Sequence, residues 1–162
     1  MITRNHRHIS FQTLCEPATS PPLGFMTIQT PYSPWTIKIH AFLGPYITLE
    51  DIFCAIYRSL RTSITLSEFY WFSSQSSHSY ATRAYKQRYR RHSSSRVYEE
   101  EKRHGMKRVD FLLGHSSFLG ISNTCCQLNK WQLNVHRWPI GSTKVFRLRG
   151  ILRRSNHLPV TS

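Results

Sequence analysis

The chain has 162 residues, 40% of them hydrophobic and 13% aromatic, which is enough apolar surface for one folded domain and too much for wholesale disorder. Lys and Arg number 22 against 8 Asp and Glu, a net charge of +14. No run approaches the ~20 apolar residues of a membrane helix, no apolar stretch follows the basic start as secretion requires, and no glycine-rich phosphate loop occurs. These patterns exclude a helical membrane span and the common nucleotide-loop enzymes, and they predict an intracellular protein, cytoplasmic or nuclear.

The excess charge is local. Segment 23–79 carries three basic and three acidic residues, segment 80–110 nets +6, and segment 137–162 nets +6 with no acidic residue. In chain order, 1–22 holds Pro17, Pro21 and Pro22 among Ser and Thr and reads as a flexible arm. Residues 25–29 and 35–42 follow with period-two patterning. In the second run Trp35, Ile37, Ile39 and Ala41 share one face while Thr36, Lys38 and His40 share the other, as in a half-buried strand. The Thr30-Pro31-Tyr32-Ser33-Pro34 connection fits a hairpin or an irregular turn.

Thr48 opens the clearest helix. It is a good N-cap, Glu50 and Asp51 complement the dipole of the first turn, and Leu49, Ile52, Phe53, Ile56, Tyr57 and Leu60 recur at helical spacing. Thr65-Leu66-Ser67-Glu68 fits a capping box for a second, aromatic helix over 68–72. A polar break over 73–79 leads to a helical segment, 80–91. Tyr80, Ala81, Ala84, Tyr85 and Arg88 lie on or near one side of it, and Arg83, Lys86, Arg90 and Arg91 on the opposite side. Segment 93–104 suits an exposed helix or loop, with Glu99, Glu100 and Glu101 as a solvated run. Residues 109–112 read as a short buried extended segment, Gly114 and Gly120 bracket a loop, and 130–136 forms a final strand with Trp131, Leu133 and Val135 inward. Segment 137–162, which contains Val145-Phe146-Arg147-Leu148-Arg149, reads as a mostly disordered basic tail.

Candidate chemistry is sparse. Gly114-His115-Ser116-Ser117-Phe118 begins like the G-x-S-x-G elbow of serine hydrolases, but Phe118 stands where the second glycine is needed and no acidic residue follows Ser116. The nine histidines lack H-x-x-x-H or H-E-x-x-H spacing, and Cys15, Cys54, Cys125 and Cys126 lack C-x-x-C spacing, so neither a metal nor another cofactor is predicted and the cysteines read as reduced thiols. Asp110 is the carboxylate in an apolar setting. Its expected role is a structural ion pair with Arg108, two residues back on the same side of an extended segment, with Arg88 or Arg83 as the other available partners. A basic patch of Arg83, Lys86, Arg88, Arg90 and Arg91, interleaved with Tyr85 and Tyr89, suits phosphates and bases. The tyrosines also fit core contact at helical spacing. Arg90-Arg91-His92-Ser93 and Arg153-Arg154-Ser155 resemble basophilic kinase sites, a pattern short enough to recur by chance.

Six pieces in order carry a family resemblance. These are Pro34-Trp35-Thr36-Ile37, Thr48-Leu49-Glu50-Asp51-Ile52, Ala84-Tyr85 with Arg88, Gly105-Met106-Lys107-Arg108-Val109-Asp110-Phe111-Leu112, Phe118-Leu119-Gly120-Ile121 and Trp131-Gln132-Leu133. Together, over 17–136, they resemble the fungal domain of unknown function DUF6699. The resemblance implies a fold and a source group and supplies no activity. The arm is short of that family's leading strand, which would leave the sheet with an exposed edge, and 137–162 has no counterpart in it.

The expected protein is an α+β domain over 23–136, a small mostly antiparallel sheet packed against two or three helices, with flexible basic termini. Its expected role is a non-enzymatic binding or scaffolding module with a protein partner. A nucleic-acid-associated protein is the alternative, and a hydrolase using Asp110, Ser116 and a histidine is the third reading. Trp35 and Trp131 are the expected core anchors.

Overall fold

A computed structural model describes residues 3–4, 7–71, 75–112, 115–124 and 127–137. The adjacent cysteines Cys125 and Cys126, the elbow residue Gly114, Phe72 of the aromatic helix and the tail from residue 138 lie outside these residues. The fold is α+β. A short antiparallel pair, β1 (Thr3–Arg4) and β2 (Arg7–His8), precedes α1 (Phe11–Leu14), β3 (Phe25–Thr30) and β4 (Ser33–His40). There follow α2 (Leu49–Arg61), α3 (Leu66–Trp71), α4 (Gln75–Arg90), α5 (Ser95–Arg103), a 3-10 helix over Arg108–Leu112, β5 (His115–Asn123) and β6 (Lys130–Arg137).

The main sheet has strand order β4-β3-β6-β5. β3 runs antiparallel to β4 and parallel to β6, and β5 runs antiparallel to β6. It is therefore mostly antiparallel, with one parallel pair at its centre. The β3–β4 turn is tight, with Thr30 opposite Ser33. Pro34 is tolerated because β4 is an edge strand, where a missing donor breaks no internal ladder.

Alternation gives the sheet two unlike faces. Met26, Ile28, Ile37, Ile39, Leu133 and Val135 are buried on one, packed with Ile52, Phe53, Ile56 and Leu60 from α2. The other face carries Thr27, Gln29, Thr36, Lys38 and Asn134, joined in part by side-chain bonds such as Gln29 Nε2 to Thr36 Oγ1 at 3.0 Å. Such a one-sided sheet needs helices on one face alone. α2 is held at its start by a reciprocal cap: Asp51 N donates to Thr48 Oγ1 (3.2 Å) and Thr48 N donates to Asp51 Oδ2 (2.9 Å).

Four expectations are corrected. The arm is docked in its second half: Ala18 N donates to Ile47 O (2.9 Å), Leu49 N donates to Glu16 O (3.2 Å), and Leu14 and Ala18 pack on the core. Prolines restrict the backbone there, and the Glu16 and Ala18 amides still find partners. The polar break over 73–79 is replaced from Gln75 by the first turns of α4, since serines weaken a helix without stopping it. The loop expected between Gly114 and Gly120 is strand β5. Its register shifts twice, and Gly120 takes φ 133°, a conformation glycine adopts without a Cβ clash. Finally, the extended segment expected over 109–112 is a turn of 3-10 helix burying Asp110, Phe111 and Leu112.

Candidate functional site

The polar chemistry gathers around α4, whose two sides meet different surroundings. On the inner side Ala81 and Tyr89 are buried, Tyr89 packs edge-on against Tyr85 and Tyr98, and the Tyr85 hydroxyl donates to Lys102 O at 2.6 Å. Those tyrosines are core contacts rather than stacking platforms. Arg88 projects from the same side into a charged cluster. Its Nε and Nη2 donate to the two oxygens of Asp110 at 3.0 and 2.9 Å, Nη2 also donates to Gly105 O at 2.8 Å, and Nη1 donates to Glu101.

The 3-10 turn explains why Asp110 pairs with Arg88 and not with Arg108. In an extended strand residues two apart face the same way, whereas with three residues per turn they diverge by about a third of a circle. Asp110, 3% exposed, faces α4 and also accepts from Lys107 N at 2.9 Å. Arg108 faces the sheet instead. Its guanidinium lies 5.1 Å above the Trp35 ring and 3.7 Å from Glu68, while Trp35 Nε1 donates to Glu68 Oε1 at 3.1 Å. Trp35 and Trp131 are both half-buried: Trp35 meets Phe111 edge-on, and Trp131 packs against the core cluster and donates Nε1 to Leu128 O.

Glu101 departs from the reading of 99–101 as a solvated run. Glu99 and Glu100 are exposed, but Glu101 bonds Lys107 Nζ at 2.8 Å and Arg61 at 3.0 Å in addition to Arg88. Burial disfavours its charge, and the Lys107 hydrogen bond with the charges of Lys107, Arg88 and Arg61 outweighs that, lowering its pKa to about 2. Burial lowers the Lys107 pKa below the usual lysine range, and Arg61 and Arg88 add to this against the pull of Glu101. The two partners thus shift in ways that a simple ion pair does not predict. Glu101 faces three cations, so its ionisation is the firmer of the two. Burial also opposes the Arg88 charge, yet the hydrogen bond and charge of Asp110, with Glu101, raise its pKa above the usual value.

This cluster fixes α2, α4, α5 and the 105–110 segment to one another. Gly105, at φ 70°, turns the chain out of α5 so that its carbonyl meets Arg88. Residues 106–108 then run beside 62–64, with Ile64 N donating to Met106 O and Arg108 N to Thr62 O, each at 3.0 Å.

The outer side of α4 brings together four of the five residues of the expected basic patch. Arg83, Lys86, Arg90 and, just past the helix end, Arg91 are exposed, and among the described residues none of them forms an ion pair. Arg88 is not part of that patch. Ser79, Thr82, Arg83, Lys86, Gln87 and Arg90 line a shallow groove.

The hydrolase-like residues do not form an elbow. Residues 115–123 are a strand rather than a strand-to-helix turn, His115 Nδ1 lies 2.9 Å from Leu112 O with its ring stacked on Tyr32, and Asp110 is held by Arg88. Among the described residues no group of three or more His, Cys, Asp or Glu is placed to hold a metal ion, and no helix is long and apolar enough to cross a membrane. Cys15 and Cys54 are free thiols.

A family model described as "Family of unknown function (DUF6699)" matches residues 1–130. The match includes the N-terminal arm, which the sequence reading had set apart, and stops at the first residue of β6. No curated protein and no solved structure matches the chain.

Proposed function

The chain belongs to the family of unknown function DUF6699, and on the structure of this member we propose that it is an intracellular, non-enzymatic binding or scaffolding module whose binding face is the outer side of α4. The observation that carries the reading is the charge asymmetry of that helix. Arg88 on the inner side is matched by Glu101 and Asp110, while Arg83, Lys86, Arg90 and Arg91 on the outer side face solvent without a matching anion among the described residues. A stable fold gains little from concentrating like charges, because they repel one another, so an unmatched stripe is explained best by a partner that supplies the anions.

The carboxylates support a non-enzymatic role. Asp51 caps α2, Glu68 caps α3 and holds Trp35, and Glu101 and Asp110 neutralise buried cations. A general acid or base must be within reach of a substrate and able to exchange its proton, and these four are committed to the fold. The test is capture of binding partners from a native extract on the immobilised chain and on its R83E/K86E/R90E variant. Loss of the captured set with the variant supports α4 as the binding face; an identical set on both chains overturns it.

A further inference from the structure

The binding-module reading leaves the ligand unnamed, and the make-up of the α4 stripe narrows it. We propose that the outer face of α4 tracks the sugar-phosphate backbone of a single-stranded nucleic acid. The proposal rests on the reading of α4 as the binding face and adds the chemical class of the partner.

With 3.6 residues per turn, Ser79, Arg83, Lys86, Gln87 and Arg90 fall within one narrow stripe of α4, and all five are exposed. Arg91 adds a further exposed cation just past the helix end. Arg83 to Arg90 spans about 10 Å of helix axis at 1.5 Å per residue. A single strand spaces its phosphates more widely than the ~3.4 Å axial rise per strand of a duplex, so a track of this length meets a few consecutive phosphates of one strand. Arg83, Lys86 and Arg90 place three exposed cations along that track. Ser79 and Gln87 lie between the cations and supply neutral donors to phosphate oxygens, and the arginine forks suit phosphate geometry. Tyr80, 49% exposed and one turn before Arg83, gives a base an aromatic face beside the charged track.

Other anionic partners fit less well. A membrane surface would require apolar side chains among the cations for insertion, whereas the residues between them are polar. The exposed apolar residues Leu66 and Trp71 belong to α3, which meets α4 at His78, on a different side of that helix from the stripe. An acidic protein would be expected to meet a patch with an apolar centre, and the stripe has none.

The test is fluorescence anisotropy of the full chain with a labelled oligouridylate, a labelled DNA duplex and vesicles containing phosphatidylserine, each across a potassium chloride titration. The variants are R83Q/K86Q/R90Q and Y80A, all at exposed positions. For the single strand, the slope of log affinity against log salt should be shallower by about 2 in the triple variant, at about 0.7 per lost phosphate contact. Y80A should weaken single-strand binding about fivefold or more while leaving that slope unchanged. Equal single-strand binding by wild type and triple variant overturns the proposal, as does tighter binding to duplex than to single strand. If vesicles alone bind, and the triple variant abolishes that binding, the nucleic-acid assignment falls while α4 stands as the binding face. If no anionic ligand responds to the triple variant, the nucleic-acid assignment falls, and the capture comparison alone decides whether α4 stands as the binding face.

Discussion

The two sides of α4 use the same residue type for opposite ends. Arg88 is sheltered, bidentate to Asp110 and bonded to Glu101, whereas Arg83 and Arg90, five residues before it and two after, are exposed with no carboxylate in reach among the described residues. A buried ion pair adds little net stability when intact, because desolvation offsets attraction, but it is costly to break. An exposed cation adds little either way. The inner side should therefore govern folding and the outer side binding, and substitutions can separate the two.

Asp110→Ala is expected to have the largest effect, about 3–5 kcal/mol of stability lost in chemical denaturation, because the Arg88 charge is left sheltered without its main partner. Ile56→Ala, at a position with no exposed surface, should cost about 2–5 kcal/mol by opening a cavity between α2 and the sheet. Glu101 predicts a pH dependence. Its folded pKa of about 2 lies below the ordinary 4.5, so its contribution is complete above pH 4.5 and is lost as pH falls from there towards 2. That loss should reach at most roughly 3 kcal/mol, reduced by solvent screening, and Glu101→Gln should flatten the acid limb of the stability profile. Thr48→Ala should cost about 1 kcal/mol through the loss of the α2 cap. At the small end, Arg83→Gln and Arg90→Gln should change stability by less than about 0.5 kcal/mol. A large loss of stability from either outer substitution would erase the distinction between the two sides.

Legibility in the sequence followed the distance over which each feature is decided. α2 was readable because its cap, dipole charges and buried face all lie within fourteen consecutive residues, and β4 and β6 were readable from alternation alone. β5 was obscured because two register shifts break the period of two. The cluster was harder still. Glu101 sits between exposed-looking neighbours, and its partners Arg61 and Arg88 lie 40 and 13 residues away, so nothing local distinguishes it from Glu99 and Glu100. For Asp110 the sequence reading favoured Arg108, with Arg88 or Arg83 as other partners, and the outcome turned on whether 108–112 is extended or 3-10, a matter that five residues did not decide. The two sides of α4 were visible as helical periodicity, which sets Arg88 opposite Arg83, Lys86, Arg90 and Arg91, although the expected basic patch counted Arg88 with them.

The parallel pairing of β3 with β6 sets an order of events during folding. Thr27 pairs with Lys130, so the centre of the sheet closes only when the chain between them, including α2 to α5, has been brought together. Closing a loop of that length costs about 4 kcal/mol of chain entropy. Until then the β3 edge of the β3–β4 hairpin lacks its partner strand, a template for pairing with other chains. On the ribosome β6 is among the last described elements to emerge, so the β3 edge stays unpaired through most of the domain's synthesis, and pairing this distant in sequence predicts slow closure of the sheet.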